Sequence, residues 1–167
     1  RNTLKGDRAE IIPILHQRAS QWYTQNDKIQ DAIAHALNAQ DNEHAADLIE
    51  STWSTMGSNY QSAQWISQVQ QLPDDLIQRY PLLCAGYGWI LLYRGEFEGA
   101  ELWFQTAERW LDAPDSASIR VTDRDAFEMF PASLHSARAY RAMALGDTDA
   151  ALQHARTALH INDDPHH

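Results

Sequence analysis

The sequence predicts an all-α fold, a right-handed solenoid of antiparallel helix pairs, and three observations carry that prediction. A helix-pair signature occurs twice, 51 residues apart: Gly88, Trp89, Gly95, Glu96, Ala100, Phe104 and Ala107 are answered by Ala139, Tyr140, Gly146, Asp147, Ala151, Ala155 and Ala158. Small residues let two helices approach closely, the glycine ends the first, and the acid after it favours the start of the second. Ala32, Ala36 and Ala39 also precede Ala100, Phe104 and Ala107 by 68 residues. Finally, apolar residues recur at spacings of three and four throughout, and no segment reads as a convincing strand.

Each element follows from local pattern. Residues up to about Glu10 show no clear apolar face, and Pro13 sits where an opening helical turn tolerates it. Ile14, Leu15, Ala19, Trp22 and Tyr23 form a stripe ending near Asn26, and Asp27 can cap the next helix, whose apolar residues are Ile29, Ala32, Ile33, Ala36 and Leu37 and which stops near Gln40. Asp41 and Asn42 restart the pattern through Ala45, Leu48, Ile49, Thr52, Trp53 and Met56 until Gly57. Tyr60, Ala63, Ile66 and Val69 make a weaker fourth helix. Pro73 interrupts, 74–80 is a connecting helix, and Pro81 restarts the chain.

Pro81 to Arg94 and Glu96 to Leu111 form the best hairpin; the polar stretch with Pro114 after it is loop-like. Pro131 opens a helix running to Leu145, and Gly146 separates it from a last one to about Ile161. The result is nine helices, four pairs at about 13–40, 42–71, 81–112 and 131–162 and the connecting helix at about 74–80, with an insert at 113–130.

The 68-residue offset is twice 34, the tetratricopeptide (TPR) spacing, so the solenoid reads as a TPR-like α-α superhelix. The repeat positions are Gly88, Leu91, Ala100, Phe104 and Ala107 in the best unit and Ser20, Tyr23, Ala32, Ala36 and Ala39 in the first, with the last displaced by a 17-residue insertion. An alanine-rich pair arises in any helical bundle; three copies in register favour the solenoid.

At 167 residues the chain suits one compact domain or one short repeat array. It is 44% hydrophobic with six Trp and six Tyr, enough for a core, and its mean hydropathy of -0.53 fits amphipathic helices. The net charge of -10, with no basic cluster denser than Arg120 and Arg124, argues against direct nucleic-acid contact. The single cysteine, Cys84, lies in the apolar run Leu82 to Leu92, where it reads as a small buried hydrophobe. No stretch suits a bilayer span and no signal sequence opens the chain, so the expectation is a cytoplasmic protein with no membrane partner.

Catalytic patterns are absent from the sequence. There is no H-E-x-x-H and no histidine pair at i, i+4 for a metal; His16, His35, His44, His135, His154 and His160 read as surface or interhelical residues, and His166 and His167 as a frayed terminus or tag. Glu96, Glu98 and Glu101 open a helix, where carboxylates complement the dipole. No serine sits in a nucleophile elbow. The expectation is a non-enzyme with no cofactor and no metal in this segment.

In a solenoid the first helix of each pair lines the concave face. Trp89 and Tyr140 hold equivalent positions there, flanked by Leu82, Ala85, Tyr93, Ser136 and Met143, and together they predict an aromatic-lined groove for a peptide, partner helix or small ligand. The same aromatics equally suit packing against a neighbouring repeat.

The segments LHQRASQWYTQND, DAIAHALNAQDNEHAADLIE, WISQVQQLPDDLIQRYPLLCAGYGWILLYRGEFEGAE and ARAYRAMALGDTDAALQHARTAL together resemble large LuxR-family transcriptional regulators of the MalT-like type, over almost the whole chain. The most specific piece is the order Trp65, Leu72, Pro73, Pro81, Leu82, Trp89 and Gly95. The resemblance implies a multidomain activator with a nucleotide-binding switch, a winged helix, a helical-repeat sensor and a C-terminal helix-turn-helix. This chain would be the start of the sensor, with 1–12 a linker from the winged helix. There is no G-x-x-x-x-G-K-[ST] loop and no terminal DNA-reading helix pair here. ATP and DNA binding would then belong to other segments, and the partners would be a small-molecule inducer or regulatory protein and the remaining domains. The alternative is a free-standing TPR-type adaptor that docks peptide tails or partner proteins; such adaptors typically use basic clamps, and only Lys5 and Lys28 are present.

Overall fold

The computed structural model describes residues 3–53, 59–112 and 119–163. Among them every regular element is helical, and the chain divides into two compact units, Arg1–Ile77 and Gln78–His167. The first unit holds α1 (Thr3–Gln25), α2 (Ile29–Asn38), α3 (Asn42–Ser51), α4 (Asn59–Val69) and α5 (Asp74–Ile77). The second holds α6 (Pro81–Tyr93), α7 (Phe97–Glu108), α8 (Arg124–Glu128), α9 (Phe130–Ala144) and α10 (Thr148–Asp163). The described residues thus contain ten helices, not nine. The extra one, α8, forms inside the insert expected to be a loop: the Asp123 side chain accepts from the Ala126 amide at 2.9 Å and Phe127 is buried.

The closest packing is within hairpins: α1 with α2, α6 with α7, and α9 with α10. One turn geometry closes α1, α2, α6 and α9. The residue after each C-cap is left-handed, at Asp27 and Gln40 (both φ 56°), Gly95 (φ 79°) and Gly146 (φ 80°). The next amide reaches back to the carbonyl five residues earlier, as Lys28 to Tyr23 at 3.0 Å, Asp41 to Ala36 at 3.0 Å, Glu96 to Leu91 at 2.9 Å and Asp147 to Ala142 at 2.9 Å. These are Schellman closures.

Asp27 therefore ends α1; it does not cap α2. Lys28 occupies that N-cap and gives no side-chain bond. A glycine holds φ near 80° without penalty, whereas an aspartate or glutamine spends energy there. A Cβ added at Gly95 or Gly146 would meet no atom within 4 Å, so Gly95→Ala should cost only the backbone strain, about 1 kcal/mol. Gln40→Gly should shift chemical denaturation the other way, toward greater stability by a few tenths to about 1 kcal/mol.

Two further boundaries differ from expectation. α1 begins at Thr3, so Pro13 lies inside the helix, and most of the expected 1–12 linker is helical. Pro13 removes one internal amide donor at that point. In α4 the buried face is Trp65, Ile66, Gln68 and Val69, while Ala63 is exposed. Met56, Gly57, His166 and His167 lie outside the described residues, as does the side chain of Tyr60.

The first core is built from small and branched residues. Ala32, Ile33, Ala36, Ala45, Ala46 and Ile49 are wholly buried, and the Ser20 hydroxyl donates to the Ala32 carbonyl at 2.8 Å, satisfying a buried polar group across the α1–α2 seam. Trp65 donates its indole N–H to the Ile49 carbonyl at 3.1 Å and joins α4 to α3.

In the second unit α6 is buried on nearly all sides, which its uninterrupted apolar run requires, and Cys84 is fully buried as expected. Gly88 faces the ring of Phe104 on α7, and Ala100 and Ala107 complete the seam. In the second copy of the signature only Ala158 is buried; Ala151 and Ala155 are half-buried.

Candidate functional site

Position along α6 and α9 decides which predicted groove residues are available. Leu82 and Ala85 are each 3% exposed, so they are core residues and not lining; they fall on the inward turns of a helix that is buried nearly all round. Tyr93, Tyr140 and Met143 are exposed at 68%, 38% and 64%. Ser136 is exposed too, but its hydroxyl is turned back onto the Ala132 carbonyl at 2.9 Å.

Trp89 is half-buried and joins elements. Its indole N–H donates to the Ser133 hydroxyl of α9 at 3.0 Å, and its ring lies edge-on to Phe104 of α7 at 6.2 Å. Tyr93 continues the cluster, 5.6 Å from Trp89 and edge-to-face with Tyr140 at 5.7 Å. The structure brings Trp89, Tyr93 and Tyr140 together, with Trp89 anchored and the two tyrosines exposed. Ser133, which meets the indole, carries no signal in the sequence.

Residues of α7, α9, α10 and the turn before α10 line an open cleft of about 520 Å³, among them Glu101, Arg138, Arg141, Asp147 and His154. Arg138 dominates its electrostatics. It grips Glu101 at 2.8 Å and Glu108 at 2.9 Å, with further guanidinium bonds to both carboxylates, and only 18% of its side chain and of Glu101's is exposed. The hydrogen bonds hold the Glu108 carboxyl below its ordinary range and raise the guanidinium further still. The sequence signal for this pairing is faint: Glu101 and Glu108 stand two turns apart on one face, a spacing that also suits a solvated helix.

The histidines are less scattered than they look in the sequence. His16 and His35 meet across the first hairpin with Nδ1 atoms 2.7 Å apart, and His135 and His154 meet across the last at 3.0 Å. Each pair stands eleven residues before and eight residues after its left-handed turn residue, Asp27 or Gly146. One ring of each pair donates and the other accepts. Among the described residues no group of three or more His, Cys, Asp or Glu is placed to hold a metal ion.

Burial lowers the pKa of His135 below the ordinary 6.5, helped by His154 and Arg138, while Glu108 opposes. The folded state then binds this proton less readily than the unfolded chain. Stability from this group is full above pH 6.5 and is lost as the pH falls below it toward the folded value. Denaturation midpoints followed from about pH 7.5 to 5 should fall, and His135→Asn should flatten the slope.

No protein-family model matches the chain, and no solved structure matches it. Among curated proteins it is similar to the serine/threonine-protein kinase PknK of Mycobacterium tuberculosis, with 31% identity over 105 residues, 61% of this chain and 10% of that protein. The protein of the same name from Mycobacterium bovis gives the same figures. The chain spans about a tenth of the length of the curated relatives it matches. Among the described residues, no helix is long and apolar enough to cross a membrane.

Proposed function

We propose that the chain is a non-catalytic, TPR-like helical-repeat segment in which a larger regulator of the MalT-like LuxR type senses an inducer or a regulatory protein. The observation that carries this reading is the paired exposure of Tyr93 and Tyr140 over an anchored Trp89, an aromatic surface of the kind that buries an apolar ligand or partner side chain. Binding there would act on a switch only through a difference in affinity between two states of the whole protein.

Two features support a regulatory segment over a catalytic one. The stretch resembles about a tenth of a long protein kinase, yet this sequence has no G-x-G-x-x-G loop and no His-Arg-Asp triplet, which phosphoryl transfer by that class requires. The turn geometry shared by Asp27, Gly95 and Gly146 repeats one hairpin design, and repeated hairpins build binding scaffolds. In the alternative, a free-standing adaptor for peptide tails, Arg138 is not free to clamp a terminal carboxylate, because Glu101 and Glu108 already hold it.

The reading is tested first by the coding region around this chain. A phosphate loop upstream and a helix-turn-helix downstream support it; a reading frame that closes near His167 overturns it and leaves the adaptor. Within the regulator, Tyr93→Ala with Tyr140→Ala should abolish the inducible output while circular dichroism is unchanged.

A further inference from the structure

Two hairpins carry the same side-chain contact, a pair of histidine rings that meet through Nδ1. The ring centres are 4.9 Å apart for His16 and His35 and 5.3 Å apart for His135 and His154, with tilts of 39° and 36°. The nitrogens themselves are 2.7 and 3.0 Å apart, so each centre-to-centre distance exceeds the N–N distance by about two ring radii and the rings meet head-on. Such a contact holds one proton between the two nitrogens and has no place for a second.

In the neutral pair one ring donates its Nδ1–H and keeps a lone pair at Nε2, while the other accepts at Nδ1 and carries its hydrogen at Nε2. A first added proton goes to the free Nε2 of the donor. That ring becomes an imidazolium, and the charge strengthens the bond it donates. For a second proton the one lone pair left is the accepting Nδ1 itself. Once it is taken, two N–H groups and two positive charges face each other, and the contact opens.

In the last hairpin little else holds α10. Among the described residues, His154 to His135 is the one side-chain hydrogen bond that ties α10 to another element, and Ala158 is the one buried side chain of that helix. The pair is surrounded by Glu108 and Glu101 of α7, Arg138 and Arg141 of α9, and Asp147 at the start of α10. α6 carries no charged residue, and the charges of α8 do not act on His135. Three carboxylates against two guanidiniums leave one negative charge, which balances one added proton and not two.

We propose that His135 and His154 form an acid-released latch: it holds α10 on α9 with no added proton or with one, and lets go with the second. Release of α10 takes away the side of the cleft formed by Asp147, Ala150 and His154. The first hairpin holds the same pair in another setting, with the Tyr23 ring stacked on His35 at 5.3 Å, and so provides a control.

Amide hydrogen exchange read by mass spectrometry on the 167-residue chain, corrected for the intrinsic rate at each pH, tests this. Between about pH 7.5 and about pH 5 the wild-type α10 amides should lose protection by ~tenfold or more, while those of α6 and α7 keep theirs. His154→Asn should keep α10 protected throughout, because the side-chain oxygen placed there accepts from the His135 Nδ1–H whether or not that ring is charged. His135→Asn should do the same from the other side, and His35→Asn should leave the wild-type loss in α10 unchanged. Equal protection of wild-type α10 at both ends of the range overturns the proposal. So does a loss as large in His154→Asn and His135→Asn as in the wild type, or one that His35→Asn abolishes. All four rings are half-buried, and unchanged circular dichroism at the upper pH confirms that the variants fold.

Discussion

Gly88→Val should destabilise the second unit by about 3 kcal/mol, lowering its melting midpoint by roughly 15 °C. A Cβ at Gly88 would stand 2.7 Å from Phe104 Cε1 and 2.9 Å from Cδ1, closer than carbon atoms approach. The ring cannot step aside, because Phe104 is 1% exposed and Ala100 and Ala107 beside it are wholly buried. Gly88→Ala sets two effects against each other. Alanine gains about 0.5–1 kcal/mol in a helix over glycine, but overpacking costs typically 1–3 kcal/mol, so a net loss of about 1 kcal/mol is expected. Phe104→Leu tested with and without Gly88→Ala checks the cause: if the ring is what the methyl meets, the double variant should be less destabilised than the two singles added. Strict additivity would place the cost elsewhere.

Arg138→Ala should cost about 2 kcal/mol, through loss of the α7–α9 connection. The two arms are unequal. Glu101 is 18% exposed at its side chain and would be left a partly buried carboxylate, whereas Glu108 at 42% is screened by solvent. Glu101→Gln should therefore destabilise more than Glu108→Gln, whose effect should stay within about 0.5 kcal/mol. Arg138→Lys should recover little, since an ammonium cannot bridge both carboxylates with the planar fork. Urea denaturation of the four variants orders them directly; equal losses at the two glutamates would contradict the burial argument.

The Gly88 and Arg138 variants bear on function through one geometry. Gly88 fixes α7 against α6, and Arg138 fixes α9 against α7; between them they set where Tyr93 meets Tyr140. A variant at either position that stays folded should alter the proposed binding at the aromatic surface without touching it.

Local rules make much of the fold readable from residue order. Helix periods mark the elements, and Gly95 and Gly146 mark two stops, because a left-handed C-terminal residue is most cheaply a glycine. The stop at Asp27 reads instead as a start, since aspartate is also the preferred N-cap and residue type cannot distinguish the two uses. α8 escapes a periodic reading because five residues hold too few turns to show one; its existence depends on the cap at Asp123 and the burial of Phe127.

The site divides the same way. The register brings Trp89 and Tyr140 to equivalent places, and that much is a property of residue order. Which aromatics face outward is not, because exposure depends on what packs on the other side: Leu82 and Ala85 share a helix with Tyr93 yet are buried. The Arg138 clamp and the histidine pairs likewise join residues 19 to 37 positions apart in sequence. Side chains that far apart are neighbours only once a hairpin has closed, so their chemistry is decided by the tertiary structure, while the turns that close the hairpins are largely written in the chain.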